Sequence, residues 1–110
     1  MSVELKPDLR LEVAHVLFID VVGYSKQVIE EQRELQHQLN QIVRNTKQFR
    51  AAEAEDKLVR LPSGDGMALV FFGSAEAPVQ CAVEISEALH NYPQLKLRMG
   101  DQYRASQRDH

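Results

Sequence analysis

The amino-acid sequence predicts an α+β fold with the element order β-α-β-β-α-β, and three features indicate it. Near the N-terminus, an apolar run at residues 16–22 is interrupted by one acid, Asp20. A long segment with apolar residues at helical spacing follows, and two short apolar runs then flank a glycine-rich turn at residues 63–66. A second helical stripe and a final alternating run come next, and 110 residues are enough for one small domain with a single core.

Composition excludes several classes of protein. The formal net charge is -3 with acids and bases interspersed, so we expect neither nucleic acid nor an anionic membrane as a partner. One cysteine, Cys81, allows no internal disulfide and is typical of a reducing compartment. No apolar run reaches membrane-spanning length, and residues 1–12, which include Pro7, resemble a linker rather than a signal peptide. A cytoplasmic location is therefore expected.

The first strand is predicted over residues 14–21. A continuous apolar run is typical of a strand buried on both faces, where a carboxylate such as Asp20 is costly unless something compensates it. After Gly23, the Ser25 hydroxyl is predicted to cap a helix. Apolar residues at helical spacing then predict one long helix, or two with a break, reaching about residue 54. They are Val28, Leu35, Leu39, Ile42, Val43 and Phe49.

A β-hairpin is predicted next. Its first strand covers residues 58–61 and is ended by Pro62, which has no N–H to donate to a ladder. The residues Ser-Gly-Asp-Gly at 63–66 are typical of a turn, and residues 67–72 form a second, wholly apolar strand.

The second half closes with a helix and a strand. Ser74 is a predicted helix cap, and Pro78 is tolerated in a first helical turn. A stripe of apolar residues marks the helix, and Cys81 within it is expected to pack in the core. Apolar residues at 95, 97 and 99 then alternate with charged ones, which predicts the last strand. The tail at 101–110 is polar and shows neither a strand nor a helix pattern.

This order is that of the ferredoxin-like fold, an antiparallel sheet with helices on one face. A right-handed crossover sets the second strand parallel to the first, and the third returns beside the first. Asp20 and Asp65 should therefore meet at one sheet edge. Two adjacent carboxylates repel unless a cation lies between them, and oxygen ligands suit Mg²⁺ or Mn²⁺. Residues 22–25 lead into the predicted helix, and backbone N–H groups at the start of a helix bind anions. A phosphate site is therefore predicted beside the two acids.

Two stretches resemble the metal-site motifs of class III nucleotidyl cyclases, the adenylate/guanylate cyclase catalytic domains. They are Phe-Ile-Asp-Val-Val-Gly-Tyr-Ser at 18–25 and Gly-Asp-Gly-Met-Ala-Leu-Val-Phe at 64–71. Residues 97–100, Leu-Arg-Met-Gly, resemble the family's strand that runs into an arginine–x–glycine step. The resemblance covers residues 15–100, and the sequence at 61–66 is most similar to bacterial members attached to signalling modules.

The resemblance implies a specific site and reaction. Asp20 and Asp65 would be the catalytic, metal-binding acids for two Mg²⁺ or Mn²⁺ ions, with Val21 lending its carbonyl to one ion. The nucleotide would be held by Val22, Gly23, Tyr24, Ser25 and Gly64. The substrate would be a nucleoside triphosphate, with ATP expected, and the products a 3′,5′-cyclic monophosphate and pyrophosphate. The family works as a head-to-tail dimer, which implies a homodimer or pairing with another cyclase half.

Two departures limit the resemblance. Leu61 lies where family members often carry a base-selecting lysine or glutamate, so ATP and GTP both stay open. Residues 101–110 resemble nothing in the family, whose second half bears an asparagine and an arginine that stabilise the transition state. We therefore expect a truncated or frameshifted chain with a partial cyclase domain at 13–100 and very low or no turnover.

Two other functions are compatible with the sequence. One is a non-catalytic nucleotide-binding or dimerisation module in signal transduction. The other is a different palm-like fold with two acids, such as a diguanylate cyclase, although the Gly-Gly-Asp/Glu-Glu-Phe hairpin of that family is absent.

Overall fold

In the computed structural model, the backbone is described for residues 13–105 and the side chains for residues 13–101. The predicted linker at 1–12 lies outside the described residues, as do residues 106–110 of the polar tail. The elements are β1 (Val13–Val21), a 3₁₀ turn (Tyr24–Lys26), α1 (Ile29–Arg44), α2 (Lys47–Ala54), β2 (Leu58–Pro62), β3 (Gly66–Phe72), α3 (Glu76–Ala88), a second 3₁₀ turn (Leu89–Asn91) and β4 (Leu97–Ala105).

The four strands form one sheet in the order β2-β3-β1-β4, and every neighbouring pair is antiparallel. Because β1 and β2 both run antiparallel to β3, they are parallel to each other, as a crossover through the helical segment requires. The predicted α+β, ferredoxin-like arrangement is therefore confirmed. Within the described range, no helix has the length and apolarity needed to cross a membrane.

The core lies between one face of the sheet and the helices. Alternate residues of β1 and β3 form that face, and they pack against the apolar stripes of the three helices. The buried sheet residues are Leu17, Ile19, Val21, Met67, Leu69 and Phe71, and the buried helix residues are Leu35, Leu39, Ile42, Val43, Phe49, Cys81 and Ile85. The predicted stripe is found except at Val28, which precedes α1 and is 64% exposed.

Cys81 packs in this core, as its position on the stripe predicted. Its side chain is fully buried, and the burial raises the pKa of the Cys81 thiol to about 11. The sulfur lies 3.5 Å from the Thr46 hydroxyl. Cys81 is therefore a protonated core residue near neutral pH.

No helix of the described residues covers the other face of the sheet, and the prediction that β1 is buried on both faces is wrong for its C-terminal half. Phe18 is 40% exposed and Asp20 is half-buried, although Ala14 and Val16 on the same face are buried. The three helices pack on the opposite side, and alternate side chains of β1 therefore point away from them. The partial exposure also explains how this strand can carry an acid.

The helical segment after β1 is broken in two, and the break has a local cause. Thr46 lies between α1 and α2, where its hydroxyl accepts a hydrogen bond from the Phe49 N–H at 3.1 Å and donates to the Val43 carbonyl at 2.9 Å. This N-cap starts a new helix at Lys47. Ahead of α3, the predicted cap Ser74 accepts a hydrogen bond from the Ala77 N–H at 3.3 Å.

Four predicted boundaries are wrong, and the first is Leu95, which lies ahead of β4 although it is buried in the core. Ser25 does not cap α1, because it lies within the first 3₁₀ turn and α1 begins only at Ile29. Pro62 is the last residue of β2 rather than the residue after it, since β2 is an edge strand and can lack a donor there. β4 continues to Ala105, opposite Val13, because the backbone of β1 offers a ladder along its whole length, whatever the polarity of the added residues.

Candidate functional site

The two motif acids lie on adjacent backbone at one edge of the sheet. Asp20 is opposite Gly66 in the β1–β3 register, and the Val21 N–H donates a hydrogen bond to the Asp65 carbonyl at 2.8 Å. Asp20 is half-buried and Asp65 is exposed. Neither carboxylate has a hydrogen bond or an ion pair within the described part of the chain. The topology thus brings together two acids that are distant in sequence.

Gly66 makes this approach possible. It is buried, and a Cβ at this position would overlap the Ile19 carbonyl oxygen and lie 2.9 Å from the Asp20 Cα. Any side chain here would push the turn away from β1. Gly64, in contrast, is exposed, and a Cβ there would meet nothing within 4 Å. The glycine after Asp65 is therefore a steric requirement of the site, whereas the glycine before it is not.

The segment expected to hold phosphate differs from the prediction. Gly23 adopts a left-handed conformation, with φ 74° and ψ 14°, and turns the chain into the 3₁₀ turn instead of an α-helix. A helix macrodipole therefore does not act at these residues. The Val22 N–H donates to the Lys96 carbonyl at 2.8 Å and is not available to a ligand.

Three backbone donors remain in that segment. No hydrogen bond within the described residues occupies the N–H groups of Gly23, Tyr24 and Ser25. Successive free N–H groups at a turn form a concave site suited to anions. Tyr24 is half-buried and packs at the margin of the core. The segment beside the two acids can thus accept phosphate oxygens through its backbone, without a helix N-terminus.

A cation lies on the other side of Asp20. In the β1–β4 register Asp20 is opposite Arg98, and directly opposed residues share one face of a sheet. Arg98 is exposed and has no ion-pair partner within the described residues. The alternation in the last strand indicated that charged residues face outward, but pairing Arg98 with Asp20 requires the register, which sequence patterns do not provide.

The donors available at this edge suit a metal bound together with phosphate. The described residues contain no group of three or more histidine, cysteine, aspartate or glutamate side chains that could hold an ion. Two carboxylates and a backbone carbonyl, with one oxygen each, leave half of an octahedral shell open. Mg²⁺ normally completes such a shell with water and substrate phosphate oxygens. The arrangement therefore fits a nucleotide-associated ion better than a cage built by protein ligands alone.

Comparison with known proteins adds evidence on the fold. No protein-family model matches the chain, and no curated protein matches it. Among solved structures, an adenylate/guanylate cyclase/hydrolase from Silicibacter pomeroyi is similar, with a TM-score of 0.53 and 22% sequence identity. The alignment covers 87% of this chain and 59% of the other, so this chain spans about three-fifths of that protein. Because the sequence identity is only 22%, the similarity is evidence for the fold alone, and that fold is cyclase-like.

Proposed function

We propose that this chain carries the metal- and triphosphate-binding part of a class III nucleotidyl cyclase site. The reaction is conversion of a nucleoside triphosphate, with ATP as the expected substrate, to its 3′,5′-cyclic monophosphate and pyrophosphate. The observation that carries the proposal is the adjacency of Asp20 and Asp65 on a cyclase-like fold, with both carboxylates unpaired. Gly66 supports the proposal, because a side chain at this position would overlap the backbone of β1 and push the turn that carries Asp65 away from Asp20.

Asp20, Asp65 and the Val21 carbonyl would hold two Mg²⁺ or Mn²⁺ ions. Such ions, when bound, lower the pKa of the ribose 3′-hydroxyl and neutralise charge on the phosphates. The 3′-hydroxyl gives its proton to water and its oxygen attacks the α-phosphorus. The bond between the α-phosphorus and the oxygen that bridges to the β-phosphorus breaks, and pyrophosphate leaves with that oxygen. The N–H groups of residues 23–25 bind phosphate oxygens on one side of Asp20, and the Arg98 guanidinium does so on the other.

A second protein surface belongs to the proposal. The helix-free face of the sheet continues from Asp20 into an apolar area that we call the open face. It comprises Phe18, Val59, Leu61, Ala68, Val70 and Phe72, of which the first three are more than a third exposed. Exposed apolar area beside a candidate site is typical of an interaction surface. A second copy, or another cyclase half, would cover it and supply the groups that recognise the base.

The first test is binding. Calorimetric titration of the chain with Mn²⁺ and then ATP should give saturable binding, and Asp20→Asn or Asp65→Asn should weaken it at least about tenfold, since one charged ligand is lost. Asp56→Asn is the matched control, because Asp56 is an exposed acid in the loop before β2, remote from this edge. Absence of saturable binding to the unsubstituted chain would refute the proposal.

Product formation separates the enzyme from the alternative. The sequence has no match for the family's transition-state asparagine and arginine, so turnover by this chain alone is expected to be very low. Cyclic nucleotide formed by the chain and abolished by Asp20→Asn would indicate an active cyclase. Nucleotide binding with no product at all, not even at the very low level expected, would favour the second candidate, a non-catalytic nucleotide-binding or dimerisation module.

A further inference from the structure

Three amide side chains lie along one row of α1, four residues apart: Gln32, Gln36 and Asn40. Residues at this spacing are neighbours on one helix face. The Gln32 side chain donates a hydrogen bond to the Tyr24 carbonyl at 3.0 Å. One turn further on, the Gln36 side chain donates to the Gly64 carbonyl at 2.9 Å. This amide row thus binds the segment that follows Asp20 and the turn that carries Asp65.

The third amide extends the row to β2. The Asn40 side-chain oxygen accepts a hydrogen bond from Arg60 at 3.4 Å. Gln36, Asn40 and Arg60 also line a cleft of about 200 Å³ between α1 and the hairpin. Because the cleft separates the helix from the turn, side-chain hydrogen bonds rather than close packing connect them here.

The turn that carries Asp65 depends on few contacts. Residues 63–65 are all exposed, and the Asp65 carboxylate has no partner within the described residues. The Ser63 N–H closes the turn on the Gly66 carbonyl at 2.9 Å. From outside the turn, the Val21 N–H holds the Asp65 carbonyl and Gln36 holds the Gly64 carbonyl. The position of the acid is therefore set through its backbone, from β1 on one side and α1 on the other.

We propose that Gln36 is a positioning residue for Asp65. By holding the Gly64 carbonyl, its amide sets where the Asp65 carboxylate lies relative to Asp20, while Gln32 holds the segment after β1 from the same helix. The separation of the two acids is thereby tied to the position of α1. This inference rests on the proposed function, because the separation matters only where the two carboxylates share a divalent cation.

The test follows Mn²⁺ binding to the full chain, in the presence of ATP, by paramagnetic broadening of its backbone amide signals. The unsubstituted chain should show saturable broadening around both Asp20 and Asp65. Gln36→Met keeps the length of the side chain but removes the donor. We expect this variant to bind Mn²⁺ about three- to tenfold more weakly, as for loss of one hydrogen bond. We also expect broadening to be lost around Asp65 before it is lost around Asp20.

Two further variants separate positioning from other effects. Gln41→Met changes an exposed glutamine of the same helix for which the described residues show no side-chain hydrogen bond, and it should bind Mn²⁺ as the unsubstituted chain does. Gln36→Glu removes the donor and adds negative charge. Positioning predicts weaker Mn²⁺ binding by this variant, whereas a purely electrostatic influence on the ion would strengthen it.

The outcomes separate the two proposals. If Gln36→Met binds Mn²⁺ with unchanged affinity and an unchanged broadening pattern, the positioning role is wrong and the proposed function stands. If the unsubstituted chain itself shows no saturable broadening, the proposed function fails first, before any variant is considered. Tighter binding by Gln36→Glu would also overturn the positioning role.

Discussion

Gly66 is the residue on which the meeting of the two acids depends. The carbonyl of Ile19 and the Cα of Asp20 occupy the space that a side chain at position 66 would need. Both atoms belong to the backbone of β1, which has a paired strand on each side. Backbone in a paired central strand cannot move aside as a flexible side chain can. Substitution at this position must therefore either shift the turn or weaken the β1–β3 ladder.

Gly66→Ala should destabilise the protein by roughly 1–3 kcal/mol, the usual cost of adding volume where there is no space. Gly64→Ala is its control, because position 64 has open space and no left-handed φ. That change should be neutral or stabilising by up to about 1 kcal/mol, through the lower entropy of the unfolded chain. Urea unfolding of both variants measures the difference, and equal effects at the two positions would contradict the steric account.

At the scale of elements, the break between α1 and α2 depends on one buried hydroxyl. Thr46 is the buried polar side chain of the described core, and its hydroxyl satisfies a free N–H at the start of α2 and a carbonyl at the end of α1. The same hydroxyl approaches Cys81 of α3. Three helices thus meet at a side chain whose polar atoms are fully used.

Thr46→Val keeps the shape of this side chain and removes its hydrogen bonds. The buried Phe49 N–H loses its acceptor, so the free energy of unfolding should fall by about 1–2 kcal/mol. Thr46→Ser retains the hydroxyl and should cost less. Thermal or urea unfolding gives both values, and a Thr46→Val protein as stable as the original would show that the cap contributes nothing.

Sequence patterns predict the elements better than they predict contacts between them. The period of apolar residues identifies every strand and helix, and the order of elements is enough to bring Asp20 and Asp65 to one edge. The pattern after Gly23 wrongly predicts Ser25 as a helix cap, because the left-handed Gly23 redirects the chain before a helix can start. No pattern places Arg98 opposite Asp20, because that pairing depends on strand register. The polar residues after Gly100 give no strand signal, although backbone pairing with β1 extends β4 through them.

At the scale of the whole molecule, one face of the sheet has no helix packed on it among the described residues. The helices bury one face of the sheet, while the open face shows apolar side chains to solvent beside the candidate site. Val59 and Leu61 lie on it in the edge strand β2, at 43% and 52% exposure. If a second copy covers this face, self-association should depend on these side chains and not on equally exposed ones elsewhere.

The chain should associate in a concentration-dependent manner that sedimentation velocity can measure. The double variant Val59→Thr with Leu61→Thr places polar, β-branched residues, which strands favour, at both positions of β2. It should weaken dimerisation at least about tenfold, since each dimer loses apolar contacts from both copies. Val79→Thr with Val83→Thr is the control on α3, where those valines are 48% and 47% exposed. Weakening by the α3 pair instead of the β2 pair would place the interface on the helical layer and remove the open face from the proposed site.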